Sequence, residues 1–275
     1  MSWKDELDEV RDDRDPLRRV RRAAELSDVY RQRQHELARL RRVAIDEARA
    51  QGLSYTEIAA ASGVSKGRIT QIRNTAPPAE RAFFGIGPVA VGVPLRSGED
   101  DRKRTYIDAA DANAQRTVES LLAELSLQPT AHSIMPDRTT PFEGDAVVIC
   151  GPKSAPVGAA LLARDPHLDM SKSNGRWWIV ERETGTRHGS PRNDPTPTNS
   201  DLGYLARHLI DGRVVIHIAG ITAHGSLGVI HYLAHNLPTL WPTTGDTQFS
   251  LTIRCDHTED ATITSSAAVI GPTPW

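Results

Sequence analysis

The stretch from Leu53 to Asn74, LSYTEIAAASGVSKGRITQIRN, has the pattern of two short helices joined by a tight turn. Ser54 stands at an N-cap position with Glu57 three residues on, the pairing of a capping box. Ile58 and Ala59 face inward, and Ala59 is small enough for a second helix to cross close by. Gly63 can take a positive φ at the corner without a Cβ penalty, and Val64 plugs it. Ser65 caps a second helix whose buried side is Ile69 and Ile72, three residues apart. The opposite side displays Lys66, Arg68, Thr70, Gln71, Arg73 and Asn74. A helix-turn-helix asks for small, Gly and branched apolar residues at about these spacings, because its second helix must stand clear of the domain to enter a major groove. Ser65 and these six residues are therefore the expected DNA-binding set. Lys66, Arg68 and Gln71 are placed at base edges and Arg73 at phosphate. The competing reading is a structural hairpin in a helical bundle.

Charge separates along the chain in the same sense. From Pro16 to Ala76 there are 13 Lys+Arg against 6 Asp+Glu, whereas from Pro77 onward there are 17 against 22. The first fifteen residues hold 3 basic and 7 acidic side chains. A basic segment coinciding with the helix pair points to nucleic acid on that side of the chain. No run approaches 18 apolar residues, and the N terminus MSWKDELDEVRDDRD is too charged for a signal peptide, so a cytoplasmic protein with no membrane partner is expected. Cys150 and Cys255 lack a CxxC partner, which disfavours a disulfide framework or a zinc site. The ten His show no HExxH pattern, and no metal ligands are assigned.

Working outward, residues 1–15 are expected to be a flexible acidic N terminus. Residues 16–76 then form the helical DNA-binding domain, 77–87 a linker and 88–275 an α/β domain. From Pro16 the chain turns helical until near Gln51-Gly52, with an apolar stripe at Leu26, Tyr30, Leu37, Leu40 and Ala44, continued upstream by Leu17 and Val20. The stripe reads as core, with a second copy of the chain as the alternative cover. Glu36 to Ala50 should support the helix pair from beneath, and the Pro77-Pro78 pair stops the second helix.

Beyond the linker, Pro88–Leu95 reads as an edge strand because of Pro88 and Pro94. Thr105–Ala110 follows as a strand, Asp111–Leu125 as a helix with Val118, Leu121, Leu122 and Leu125 inward, and Thr130–Ile134 as a short strand. AVVIC, 146–150, is a strand buried on both faces. A helix then runs through Leu162, with strands at Arg176–Glu181 and Arg213–Ala219. Asp201–Arg207 reads as a short helix, and Gly220–Gly228 precedes or opens a further helix through Leu237. Phe249–Cys255 and Ala261–Ile270 close the chain as an antiparallel pair. The expected fold class is thus α plus α/β: an all-helical helix-turn-helix domain followed by an open, largely parallel α/β sheet.

Two buried strands end in glycine turns, VVICGPKSAP and VIHIAGITAHGSLG. Ligands of open α/β sheets bind beyond the carboxyl ends of strands, where helix N-termini offer N–H groups to anions. Gly151, Lys153, Ser154, Gly220, His224, Gly225 and Ser226 are the candidate ligand-binding residues, for an unidentified anionic or nucleotide-like effector. Neither turn matches a P-loop or a dinucleotide fingerprint, and the glycines have an equally good packing role. Cys150 with His224 or His231 carries no local catalytic signature, so no catalytic residues are assigned.

ARAQGLSYTEIAAASGVSKGRITQIRNTAPPAERAFFGIGPVAV, DAVVICGPKSAPV, GRWWIVERETG and RVVIHIAGITAHGSLGVIHYL together resemble a group of actinobacterial sigma-factor-like helix-turn-helix DNA-binding proteins. The helix pair itself resembles that of sigma factor region 4. The resemblance implies a DNA reader joined to an α/β C-terminal domain. Nothing matches the aromatic-rich promoter-melting region of a sigma factor, so a repressor or activator is expected in preference to a stand-alone sigma. Double-stranded DNA and a second copy of the chain are the expected partners, with RNA polymerase a further one. A nucleotide-processing enzyme that uses the helix pair only for localisation is the rival reading.

Overall fold

The Asp15 side chain accepts hydrogen bonds from the backbone N–H groups of Leu17 and Arg18, and Pro16 supplies a preset φ at the first helical position. Helix α2 therefore starts at Pro16 and runs unbroken to Ala50. This computed structural model describes residues 3–99 and 102–275. Met1 and Ser2 lie outside the described residues; from Trp3 to Arg11 the acidic N terminus, expected to be a flexible tail, forms helix α1. Glu6 fixes it to α2, accepting from the Tyr30 hydroxyl at 2.8 Å and from Arg33 at 3.2 Å.

Helices α3 (Tyr55–Ser62) and α4 (Lys66–Thr75) follow, joined through Gly63 at φ 69°. The capping box is formed in both directions between Ser54 and Glu57, and Ser65 caps α4 through the Arg68 N–H. Ile58, Ile69 and Ile72 pack on Ile45 of α2, with Ala38, Ala48 and Val64 around them. The α2 stripe is not core. Leu17, Val20, Leu37 and Leu40 are 77%, 69%, 62% and 46% exposed, and only Leu26 and Tyr30 are half-buried. Helix α2 instead buries Gln32, Arg39 and Ile45.

Residues 77–87, expected to be a linker, contribute a 3-10 turn at Ala79–Phe84 whose Phe83 and Phe84 are core. Arg81, fully buried, donates to Glu36 at 3.1 Å, Gln32 at 2.8 Å and the Ile86 carbonyl at 2.8 Å. Further bonds join α2 to the rest of the chain: His35 Nδ1 donates to the Ser126 carbonyl, and Gln128 donates to Asp28.

Strand β1 (Val89–Pro94) leads to a small hairpin, β2 (Arg96–Glu99) and β3 (Lys103–Tyr106), then to α5 (Ala109–Glu124), β4 (Pro129–Ile134), β5 (Asp145–Ile149) and α6 (Pro156–Leu162). Strands β6 (Leu168–Ser173), β7 (Arg176–Glu181) and β8 (Arg187–Gly189) form a separate antiparallel sheet. The chain closes with β9 (Ser200–Ile210), β10 (Arg213–Gly220), α7 (Ala223–Thr244), β11 (Phe249–His257) and β12 (Ile263–Pro274). The main sheet has the order β12-β11-β9-β10-β5-β1-β4. Strands β10, β5, β1 and β4 are parallel, while β9, β11 and β12 add in antiparallel fashion. The sheet is therefore mixed, not largely parallel.

Two expected elements change. The predicted helix at Asp201–Arg207 is the middle of β9, buried on both faces between β10 and β11, so its sequence shows no strand alternation. The predicted edge strand β1 is internal, between β5 and β4. Its prolines are tolerated for a positional reason. The odd residues of β1 point their N–H groups toward β4, as Val89 and Leu95 show, so the missing N–H of Pro94 faces β5. Pairing with β5 has already ended at Gly92. Helices α5 and α7 cover one face of the sheet through Val118, Leu122, Val229 and Leu233. Helix α6 and the β6–β8 sheet cover the other.

Candidate functional site

Two surfaces gather the residues with chemical potential. On the first, Ser65, Lys66, Arg68, Thr70, Gln71, Arg73 and Asn74 are all exposed along α4, while Ile69 and Ile72 are buried behind them. Arg68 Nη1 donates to Gln71 Oε1 at 2.7 Å, so these two side chains stand as a joined donor and amide unit. Arg73 is differently committed. It pairs with Asp46 at 2.8 Å and with the Tyr55 hydroxyl, which ties α4 to α2 and α3. A phosphate would have to compete with that carboxylate, so the expected phosphate role of Arg73 is weaker than its position along α4 implies.

The second surface lies at the carboxyl ends of the parallel strands. Strand β1 connects through α5 outward to β4, whereas β5 connects the other way to β10, and α5 and α6 sit on opposite faces. The chain direction thus reverses between β1 and β5, and a crevice opens there, as it does at the switch point of other open α/β sheets. A cavity of about 40 Å³ occupies it, lined by Arg96, Asp111, Cys150, Gly151, Lys153, Ser154, Gly220, Thr222 and Ser226, among others. This volume holds a few waters or one small anion and not a nucleotide. Arg96 donates to Asp111 at 2.7 Å. Lys153 Nζ donates to the Ile221 carbonyl at 2.9 Å, which clamps the β5 turn to the β10 turn. Burial pulls the Lys153 ammonium below its ordinary range, partly offset by the Asp201 carboxylate.

Of the seven residues put forward as a ligand set, the structure brings Gly151, Lys153, Ser154, Gly220 and Ser226 to this cavity. His224 is elsewhere, stacked on His257 with ring centroids 4.1 Å apart and Arg192 beside both. Gly225 has a packing role. A Cβ there would stand 2.1 Å from the Leu202 carbonyl oxygen, so only glycine lets α7 approach β9 this closely.

No family model matches the chain, and no curated protein does. What the site can do rests on its geometry. The residue that sequence reasoning missed is Asp201. Fully buried, it accepts from Leu202 N–H through Oδ1, and from Thr222 N–H, the Thr222 hydroxyl and Gly225 N–H through Oδ2. The N-terminus of α7, expected to receive an external anion, already holds this internal one. Its signal was hidden because residues 201–207 read as helix, which separates Asp201 from the turn it caps. The thiols of Cys150 and Cys255 are both pushed up to about 12, mainly by burial, so neither supplies a thiolate nucleophile. Among the described residues no group of three or more His, Cys, Asp or Glu is placed to hold a metal ion, and no helix is long and apolar enough to cross a membrane.

Proposed function

We propose that this chain is a sequence-specific DNA-binding transcriptional regulator in which α3 and α4 act as a helix-turn-helix and the sheet domain senses a small anionic effector. The observation that carries the reading is α4 itself: a polar, cationic face fully presented to solvent, backed by isoleucines locked against α2. A helix used only for packing gains nothing from holding Arg68 and Gln71 together in the open, whereas that pair offers donors and an acceptor to base edges. One such helix meets too few base pairs for genomic selectivity, so a second copy on an adjacent half-site is part of the reading. The exposed Leu37 and Leu40 are available for that contact.

Genome-wide immunoprecipitation of bound DNA would supply the operator, expected to be two half-sites about one helical turn apart. A lone half-site would remove the dimer from the reading. On that operator, Arg68→Ala and Gln71→Ala are each expected to weaken binding by about 1–3 kcal/mol and to relax preference at one or two positions. Unchanged sequence preference in both variants would show that α4 is not the reading element.

The sensing function attaches to the cavity at the β1/β5 switch point. Among the described residues lining it, Lys153 is the cation without a carboxylate hydrogen-bonded to it, and its bond to the Ile221 carbonyl is of the kind a phosphate or carboxylate oxygen can replace. A thermal-shift screen of inorganic phosphate, sulfate and small phosphorylated acids is expected to yield a stabilising compound for the wild type and not for Lys153→Ala. If every compound stabilises both proteins equally, Lys153 is only a clamp between turns and the sensing role falls.

A further inference from the structure

Among the described residues two pairs of histidines stack, and their surroundings are opposite in character. In the first, His257 Nδ1 donates to the Thr258 carbonyl at 2.8 Å, so its Nε2 lone pair accepts from Arg192 at 3.4 Å. The same guanidinium nitrogen lies 3.3 Å from His224 Nδ1. A permanent cation already sits against these ring nitrogens, and a second cation would be repelled.

The other pair is His231 and His235, one turn apart on α7, with ring centroids 4.2 Å apart and planes inclined at 29°. Residues four apart on a helix share one face, so the stacking follows from the spacing. His235 Nδ1 donates to the His231 carbonyl at 2.8 Å, which leaves Nε2 as a bare lone pair. His231 Nδ1 lies 2.7 Å from the Ser266 hydroxyl of β12, and when that oxygen accepts the ring proton His231 presents its Nε2 in the same way. Among the described residues neither ring takes a hydrogen bond from a lysine or arginine. Both Nδ1 atoms being engaged is the arrangement by which outer partners orient imidazole ligands toward a metal.

We infer that His231 and His235 form a two-imidazole site for a late first-row transition-metal dication, of the zinc, nickel or copper class. Imidazoles at positions four apart on one helical face are the ligand pair such ions use, with metal–nitrogen bonds of about 2.0–2.1 Å. Tyr232 stands where a hydrolytic metal helix carries its general-base glutamate, so the site binds without a hydrolytic role. Two protein ligands leave the remaining positions to water, and a bound ion would staple one turn at the middle of α7.

The test uses the full chain, freed of metal with chelator and titrated with Cu²⁺ or Zn²⁺ by calorimetry, with electron paramagnetic resonance of the copper form. One equivalent is expected to bind at micromolar metal, with nitrogen hyperfine structure from two imidazoles. His231→Ala and His235→Ala should each raise Kd at least tenfold, while His224→Ala leaves it unchanged. His235 is exposed, so its variant is not expected to unfold the helix, and circular dichroism checks this. Binding only at millimolar metal, or binding equally strong in His235→Ala, overturns the site.

Discussion

Replacing Asp201 with Ala is expected to lower the free energy of unfolding by about 3–5 kcal/mol, the loss that follows when a buried carboxylate is taken from the donors it serves. Four donors from three residues converge on it, at 2.6–3.1 Å. The side chain is wholly buried, so water cannot take its place without a cavity opening. Three of the four donors are backbone N–H groups, two of them, from Thr222 and Gly225, at the start of α7, where the helix dipole adds to the attraction. For a chain of this size the loss corresponds to a drop in Tm of about 6–20 °C. Asn is expected to recover only part of it, because its amide NH₂ would confront one of the N–H donors. A second readout separates this account from simple loss of packing: the space left by the carboxylate matches formate, so formate should stabilise Asp201→Ala more than wild type. A Tm within about 2 °C of wild type would show that α7 does not depend on this carboxylate.

Asp201 also marks the border of what the sequence discloses. Apart from Leu202 its partners are Thr222 and Gly225, and nothing near Asp201 in the chain signals them. Local features were readable because their causes are local. Ser54, Glu57, Gly63 and Ser65 declare helix ends through contacts three or four residues away, and the structure forms each of them. The runs AVVIC and RVVIHIA disclosed internal parallel strands through unbroken apolarity. The same property misleads at β9. Leu202, Leu205, Ala206 and Leu209 fit helical spacing, and a strand buried on both faces offers no alternation to contradict it. Buried charges were the least legible. Arg81 meets Gln32 across 49 positions, and Arg207 donates to the Phe83 carbonyl across 124. Composition marks such residues as surface, and only the assembled fold shows that they lock the 77–87 segment between α2 and the sheet. The α2 stripe failed for the converse reason: apolar periodicity shows that a face is fit for burial, and not that this chain buries it.

The second large effect concerns acid. His208 and His217 lie on neighbouring strands with ring centroids 6.2 Å apart, and neither is exposed. The Cys150 carbonyl accepts from His217 Nε2 at 2.8 Å, whereas among the described residues His217 Nδ1 and both nitrogens of His208 have no hydrogen-bond partner. Burial pushes His208 down to about 3 and His217 down to about 4. Both folded values lie below the unfolded value of about 6.5, so on acidification the unfolded chain takes up the protons first. The contribution to stability is whole above pH ~6.5 and is lost as the pH falls toward 4. At pH 5 each histidine is expected to have removed about 2 kcal/mol, a large share of the ~5–15 kcal/mol that holds a typical domain. Urea midpoints at pH 7.5 and pH 5 measure the loss directly. His208→Phe keeps a ring against Trp275, whose centroid is 5.7 Å away, and discards two unpaired nitrogens. It is expected to match or exceed wild type at pH 7.5 and to lose about 2 kcal/mol less than wild type at pH 5, since of the pair His217 alone then titrates. Equal losses in the two proteins would place the acid sensitivity outside this pair.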